Sequence, residues 1–271
     1  MLFKVFEPHE MLKPFIHSIQ LMEIDQNEGF NEQKIVPYGL TGLFFNYKGP
    51  TIQTDEIHGR RVLPMAFAGG LTDCPILIDG VGSIGMVAFN FYPEGLYHFV
   101  RDSMTQITNS TIDLRDIMGD KVGIIQERLA ETSDNYAKIE LLQQFLIEQL
   151  ESKRISNNKA VEIAQLKLLA SGGNVTIHEL IDETGVSISS LERYFREEIG
   201  ISPKSYAGIL RFNNVFKHLK QSAFLKWQDI VYYCGYYDQA HLIREFSRYT
   251  GETPRSYFSR MNYSVELYSG K

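Results

Sequence analysis

The sequence predicts an α+β chain of two domains. The N-terminal half reads as mostly β and barrel-like with trailing helices, and the C-terminal domain as all-α with two helix-turn-helix units. Three observations carry this prediction. Short apolar stretches broken by Gly and Pro fill residues 1 to about 112. Helical periodicity takes over beyond them. A 16-residue fragment then occurs twice, 51 residues apart.

In the β half, GLTGLFFNYKGP (39–50), HGRRVLPMAFAGGL (58–71) and CPILIDGVGSIGMVAFNFYP (74–93) alternate apolar runs with turn residues. That spacing suits a sandwich or barrel. No long helical pattern separates the runs, which disfavours an α/β arrangement. DGVGSIG lacks the Lys-Ser or Lys-Thr of a phosphate loop and reads as a hairpin turn. Short helices are expected at 10–19 and 95–99. Aromatic side chains at Phe44, Phe45, Tyr47, Phe67, Phe89, Phe91 and Tyr92 either line a pocket or form plain core.

The trailing helices begin with Asp113 as an N-cap, followed by a helix over 121–131. Asp134 or Asn135 caps the next, over 137–153. Its apolar face of Ile139, Leu142, Phe145, Leu146 and Leu150 either packs on its own domain or forms a dimerisation surface. The polar stretch 153–159 reads as a junction, and another helix runs over 159–171 to Gly172 and Gly173. The expected divisions are a regulatory or dimerising domain over 1–153, a helical domain over 154–262 and a tail over 263–271.

The repeated fragment reads LERYFREEIGISPKSY at 191–206 and LIREFSRYTGETPRSY at 242–257. Arg193, Phe195, Gly200, Pro203, Ser205 and Tyr206 recur as Arg244, Phe246, Gly251, Pro254, Ser256 and Tyr257. In the first copy Thr176 and Glu179 form a capping box, and the helix 177–184 buries Ile177, Leu180 and Ile181. Gly185 makes the turn, and Ser187 caps a second helix that turns Leu191, Tyr194 and Phe195 inward. In the second copy Trp227, Ile230 and Val231 face inward, Gly235 turns, Asp238 caps, and Leu242 and Phe246 are buried. A helix over 204–219 joins the copies. Some 15 helical residues span roughly 22 Å. That places the two second helices about 34 Å apart, one turn of DNA.

The phase of the repeat selects the side chains left outside. They are Ser189, Ser190, Glu192, Arg193 and Arg196 in the first copy, and Gln239, Ala240, His241, Ile243, Arg244 and Arg248 in the second. Arg donates two hydrogen bonds to guanine O6 and N7 or bridges phosphates, and Gln pairs with adenine. Ser takes either role, Glu accepts from cytosine N4, and Ile meets a thymine methyl. Double-stranded DNA is therefore the expected partner.

These residues carry a resemblance. VTIHELIDETGVSISSLERYFREEIGISPKSYAGILRFNNVF followed by WQDIVYYCGYYDQAHLIREFSRYTGETPRSYF resembles the DNA-binding domain of AraC/XylS-type transcription regulators, over about residues 160–260. The resemblance implies that each recognition helix enters a major groove, with base-reading positions at Ser189, Glu192 and Arg193, then Gln239, Ala240 and Arg244. It departs from the family at Val231, Tyr232 and Tyr233, where smaller residues are common. NFYPEGLYHFV and STIDLRDIMGDKVGIIQERL resemble more loosely the N-terminal regions of such regulators. That implies a cupin-like domain that senses a small-molecule effector or forms a homodimer, in a bacterial, cytoplasmic factor that contacts RNA polymerase.

Charge is consistent with this but modest. The chain carries a net charge of -6, yet residues 160–271 hold 13 basic and 12 acidic side chains. Where positive charge lies matters more than the sum. No catalytic constellation, cofactor motif or metal motif emerges. His9, His17, His58 and His98 are widely spaced, and Glu94 with His98 is a weak pair for a metal. Cys74 and Cys234 read as free thiols of a reducing compartment, and no activating His motif adjoins Cys74. No apolar run is long enough to span a membrane, and the first residues lack the pattern of a secretion signal.

Overall fold

The computed structural model describes residues 1–100, 102–151, 158–221 and 227–259, with the side chains of 219–221, 227 and 259 left aside. The expected junction at 153/154, the end of the helical domain at 262, the tail 263–271 and the Trp227 side chain lie outside that description.

Among the described residues ten strands form two antiparallel sheets. The larger orders β1 (Leu2–Phe6), β2 (Ile16–Ile24), β9 (Ile84–Phe91), β4 (Thr41–Asn46), β7 (Ala66–Gly69) and β10 (Thr111–Asp113). The smaller orders β3 (Gln33–Ile35), β8 (Ile76–Gly80), β5 (Thr51–Asp55) and β6 (Gly59–Val62). The two sheets share no paired strand, so the barrel-like half is a pair of open sheets.

Side chains alternate across a strand, so one face of the larger sheet collects Ile19, Leu21, Leu43, Phe45, Val87, Phe89 and Phe91. Helices α3 (Lys121–Glu131) and α4 (Asn135–Glu151) cover that face with Val122, Ile125, Leu129, Ile139, Leu142, Phe145 and Leu146. Phe45 meets Phe145 edge to face at 6.4 Å. The apolar face of α4 is thus spent on its own domain. Asp113 caps the short α2 (Leu114–Met118), and Asp134 accepts from the Ala137 amide at the start of α4.

Two expectations fail. Residues 10–15 turn and 16–24 form β2, so no helix covers 10–19. The apolar residues Ile16, Ile19 and Leu21 pair across β9 instead, where alternation, with a register shift between Ile16 and Ser18, buries all three. DGVGSIG is not a hairpin either, because β8 and β9 belong to different sheets. It is a corner between sheets, tied down where the Val81 amide donates to the Pro50 carbonyl and the Gly49 amide to the Ser83 carbonyl. The expected helix at 95–99 is present as α1 (Tyr97–Val100).

The remaining helices are α5 (Lys159–Ala170), α6 (Ile177–Thr184), α7 (Ile188–Glu198), α8 (Pro203–Gln221), α9 (Trp227–Tyr233), α10 (Gln239–Thr250) and α11 (Pro254–Ser259). They enclose a second core around Leu191, Phe195, Phe212, Val215, Ile230, Leu242 and Phe246. Val36 and Leu71 from the β half join that core, so the two halves pack on one another.

Candidate nucleic-acid interface

Each helix-turn-helix unit is positioned by its caps and its turn. In the first, the Thr176 hydroxyl accepts from the Glu179 amide while the Glu179 carboxylate accepts from the Thr176 amide, which completes the capping box. Ser187 caps α7 by accepting from the Ser190 amide. In the second, the Asp238 carboxylate accepts from the His241 amide at 2.7 Å and starts α10. The turns need Gly185 at φ 69° and Gly235 at φ 72°, a left-handed conformation that costs a side chain dearly. A Cβ on Gly235 would also lie 2.7 Å from the Asn174 side chain.

Leu191 and Phe195 on α7, and Leu242 and Phe246 on α10, are fully buried. Their helical phase fixes the outer face. Ser189, Arg193 and Arg196 are exposed, and Ser190 and Glu192 are half-buried. Gln239, Ala240, Ile243, Arg244 and Arg248 are exposed, and His241 is half-buried. Arg193 and Arg244 hold the same outward position in their helices. The Arg193 guanidinium rests over the Tyr194 ring at 4.4 Å, and Arg196 pairs with Glu192 at 3.5 Å.

Several of these side chains already have partners. Arg248 forms an ion pair with Asp73 of the β half. His241 lies 3.6 Å from Glu245, which Arg211 of α8 also engages at 3.3 Å. Sequence reasoning could not find Asp73, because nothing in the chain marks which surface acid faces a helix 175 residues away.

The β half touches both recognition helices at the end opposite their N-caps. Beyond α7, the Thr108 hydroxyl donates to the Gly200 carbonyl at 2.9 Å. Beyond α10, Lys34 pairs with Glu252 at 2.7 Å and donates to the Thr250 carbonyl. Asn213 of α8 donates to the Tyr38 carbonyl at 2.9 Å. Ile188 and Ser189 in the first turn of α7, and Gln239 and Ala240 in that of α10, are exposed, and a recognition helix reads bases with its N-terminal residues. Glu198, at the end of α7, is half-buried in this zone. Burial, with Glu197 and Glu94 adding negative charge, pushes its carboxyl up to about 7.

Between the two sheets lies a cavity of about 590 Å³. Its walls include Ser18, Gln20, Asn90, Phe44 and Phe67 from the larger sheet and Thr51, Gln53, Ile76 and Ile78 from the smaller. Of the seven aromatic pocket candidates, Phe44 and Phe67 line it, stacked at 4.8 Å. Phe45, Phe89 and Phe91 face the helices instead, and Tyr47 hydrogen-bonds Glu23. Ile35, Val36, Tyr38 and Leu40 line the cavity too, and Val36 and Tyr38 also pack in the second core. Both thiols are free. Burial pushes Cys234 up to about 11, and Cys74 is also raised, first by burial and then by Asp73. Among the described residues no His, Cys, Asp or Glu group is arranged to hold a metal, and no helix is long and apolar enough to cross a membrane.

Residues 180–260 match a helix-turn-helix domain family, and residues 4–113 match a domain of unknown function, DUF6597. No curated protein matches the chain. Among solved structures, ToxT from Vibrio cholerae is similar at 10% identity and a TM-score of 0.47, over 97% of this chain and all of that one. A probable AraC family transcriptional regulator from Rhodopseudomonas palustris is similar at 23% identity and a TM-score of 0.35, over 38% of this chain and 97% of that one.

Proposed function

We propose that this chain, whose residues 180–260 match a helix-turn-helix domain family, is a regulator of the AraC/XylS type that reads two successive major grooves of a duplex with α7 and α10. The observation that carries the reading is the shared outward position of Arg193 and Arg244 on two capped helices joined by one long helix. At 1.5 Å per residue, the 19 residues of α8 span about 28 Å. Arg193 and Arg244 take base edges, with Ser189, Glu192, Gln239, Ala240 and Ile243 beside them. Ser190, Arg196, His241 and Arg248 serve the phosphates and the rim. The N-terminal half is proposed as a sensor of a small molecule. What supports sensing is the wall formed by Val36 and Tyr38, which borders the cavity and also packs among the helices. The divisions 1–153 and 154–262, a cytoplasmic location, a homodimer and a contact with RNA polymerase belong to the same proposal.

A mobility-shift assay of the full chain tests the groove reading. Arg244→Ala should weaken a cognate duplex by about 1–3 kcal/mol and a scrambled duplex far less. Equal losses on both would remove Arg244 from base reading.

A further inference from the structure

The two faces of the larger sheet differ in a way that bears on the cavity. The face under α3 and α4 is filled with large apolar side chains, whereas the face toward the smaller sheet carries Ser18, Gln20, Gly42, Gly69 and Asn90. Small and uncharged polar groups there leave the space open. Phe44 and Phe67 make an aromatic wall, and Ile76 and Ile78 face it from the smaller sheet.

Among the described residues the lining holds no Lys, Arg, Asp or Glu. Its one titratable group besides Tyr38 is His17, an exposed residue whose ring nitrogen is 3.3 Å from the Ser18 hydroxyl. An ionised ligand inside would shed its water with no counter-charge to meet it, a cost that uncharged dipoles do not repay. Gln20 is 9% exposed and sits on the cavity face of β2 between Val5 and Ala88, and its side-chain amide has no hydrogen-bond partner among the described residues. A buried amide has two donors and an acceptor to satisfy. Ser18 and Asn90, joined at 3.2 Å, lie beside it on the paired strands.

We propose that the cavity between the two sheets binds an uncharged, mainly apolar small molecule that presents one hydroxyl, carbonyl or amide group to Gln20. The aromatic and aliphatic walls supply most of the binding surface, and Gln20 fixes the orientation. This rests on the sensing role proposed above and names the chemistry of that same site.

The test uses the full chain and two probe pairs matched in shape: 1-decanol against decanoate, and 2-naphthalenemethanol against 2-naphthoate. Titration calorimetry should show at least one alcohol binding at a single site, about tenfold or more tighter than its carboxylate. Gln20→Leu should weaken that alcohol about fivefold. Gln20→Lys should reverse the order of the pair. If neither alcohol saturates one site, or each carboxylate binds as tightly as its alcohol, the inference is wrong; this arm needs no variant. An unchanged alcohol affinity in a folded Gln20→Leu protein overturns the role of the amide. Duplex binding is measured on the same samples. Intact duplex binding without probe binding refutes this inference alone, whereas lost duplex binding strikes the regulator reading.

Discussion

The two helix-turn-helix units bury equivalent side chains, Leu191 and Phe195 in α7 and Leu242 and Phe246 in α10, yet their surroundings differ. Phe246 sits among Phe212, Phe216, Tyr257 and Phe258, an aromatic cluster with no counterpart around Phe195 among the described residues. The outer face differs as well. On α7 the Arg196 guanidinium pairs within its own helix, with Glu192. On α10 the matching end is held from outside, by Asp73 on Arg248 and Lys34 on Glu252. A duplicated fold has therefore diverged in two places: in the packing around each buried Phe, and in which residues of the N-terminal half meet the end of each helix.

The largest expected effect probes the seating. Phe195→Ala and Phe246→Ala should each cost about 3–5 kcal/mol in urea unfolding, with Phe246→Ala the more severe. A larger loss at Phe195 would break the asymmetry. Next comes pH at the end of α7. The Glu198 carboxyl is raised from 4.5 to about 7 when folded, so the unfolded chain gives up its proton first as pH rises. Stability is then fully present below about 4.5 and declines as pH climbs through about 7. Because Glu198 is half exposed to screening solvent, Glu198→Gln should gain only about 1–2 kcal/mol at pH 8 and nothing at pH 4. A gain equal at both pH values would dismiss the titration.

Smaller effects sharpen the comparison. Thr176→Ala removes the hydroxyl that accepts from the Glu179 amide, leaves the backbone half of the capping box, and should cost about 1 kcal/mol, read as a shift in the unfolding midpoint. An unchanged midpoint would mean that the seating of the first unit does not depend on its cap. The smallest expected effect concerns the grip on α10. An ion pair exposed to solvent is worth about 0–1 kcal/mol, so Asp73→Asn should raise duplex affinity by at most about fivefold. Freeing one cation should also steepen the salt dependence by about one counterion. Both changes should vanish in an Arg248→Ala background, and their persistence there would separate Asp73 from Arg248.

Much of this was legible in the chain. The repeat fixed which face of each helix is buried, because Leu and Phe four residues apart can share only one side of a helix. The caps at Asp113, Thr176, Ser187 and Asp238 are short-range chemistry and form as their residue types require. Sheet partners were not legible. Phe44 and Phe45 look alike in sequence, and only their place in β4 sends one to the cavity and the other to the helices. The same holds for DGVGSIG, whose Gly residues announce a turn without saying whether it rejoins the same sheet. The contacts of Asp73, Lys34 and Thr108 join residues far apart in sequence and leave no local mark.

The central claim is that two recognition helices on one chain read two adjacent blocks of sequence. Duplexes bound from a random pool, selected in parallel with the full-length protein and with Arg193→Ala and Arg244→Ala, test it most directly. The account predicts two conserved blocks about 10–10.5 base pairs apart, with each substitution erasing preference in one block only. A single block, or two blocks that both fade with either substitution, would contradict it.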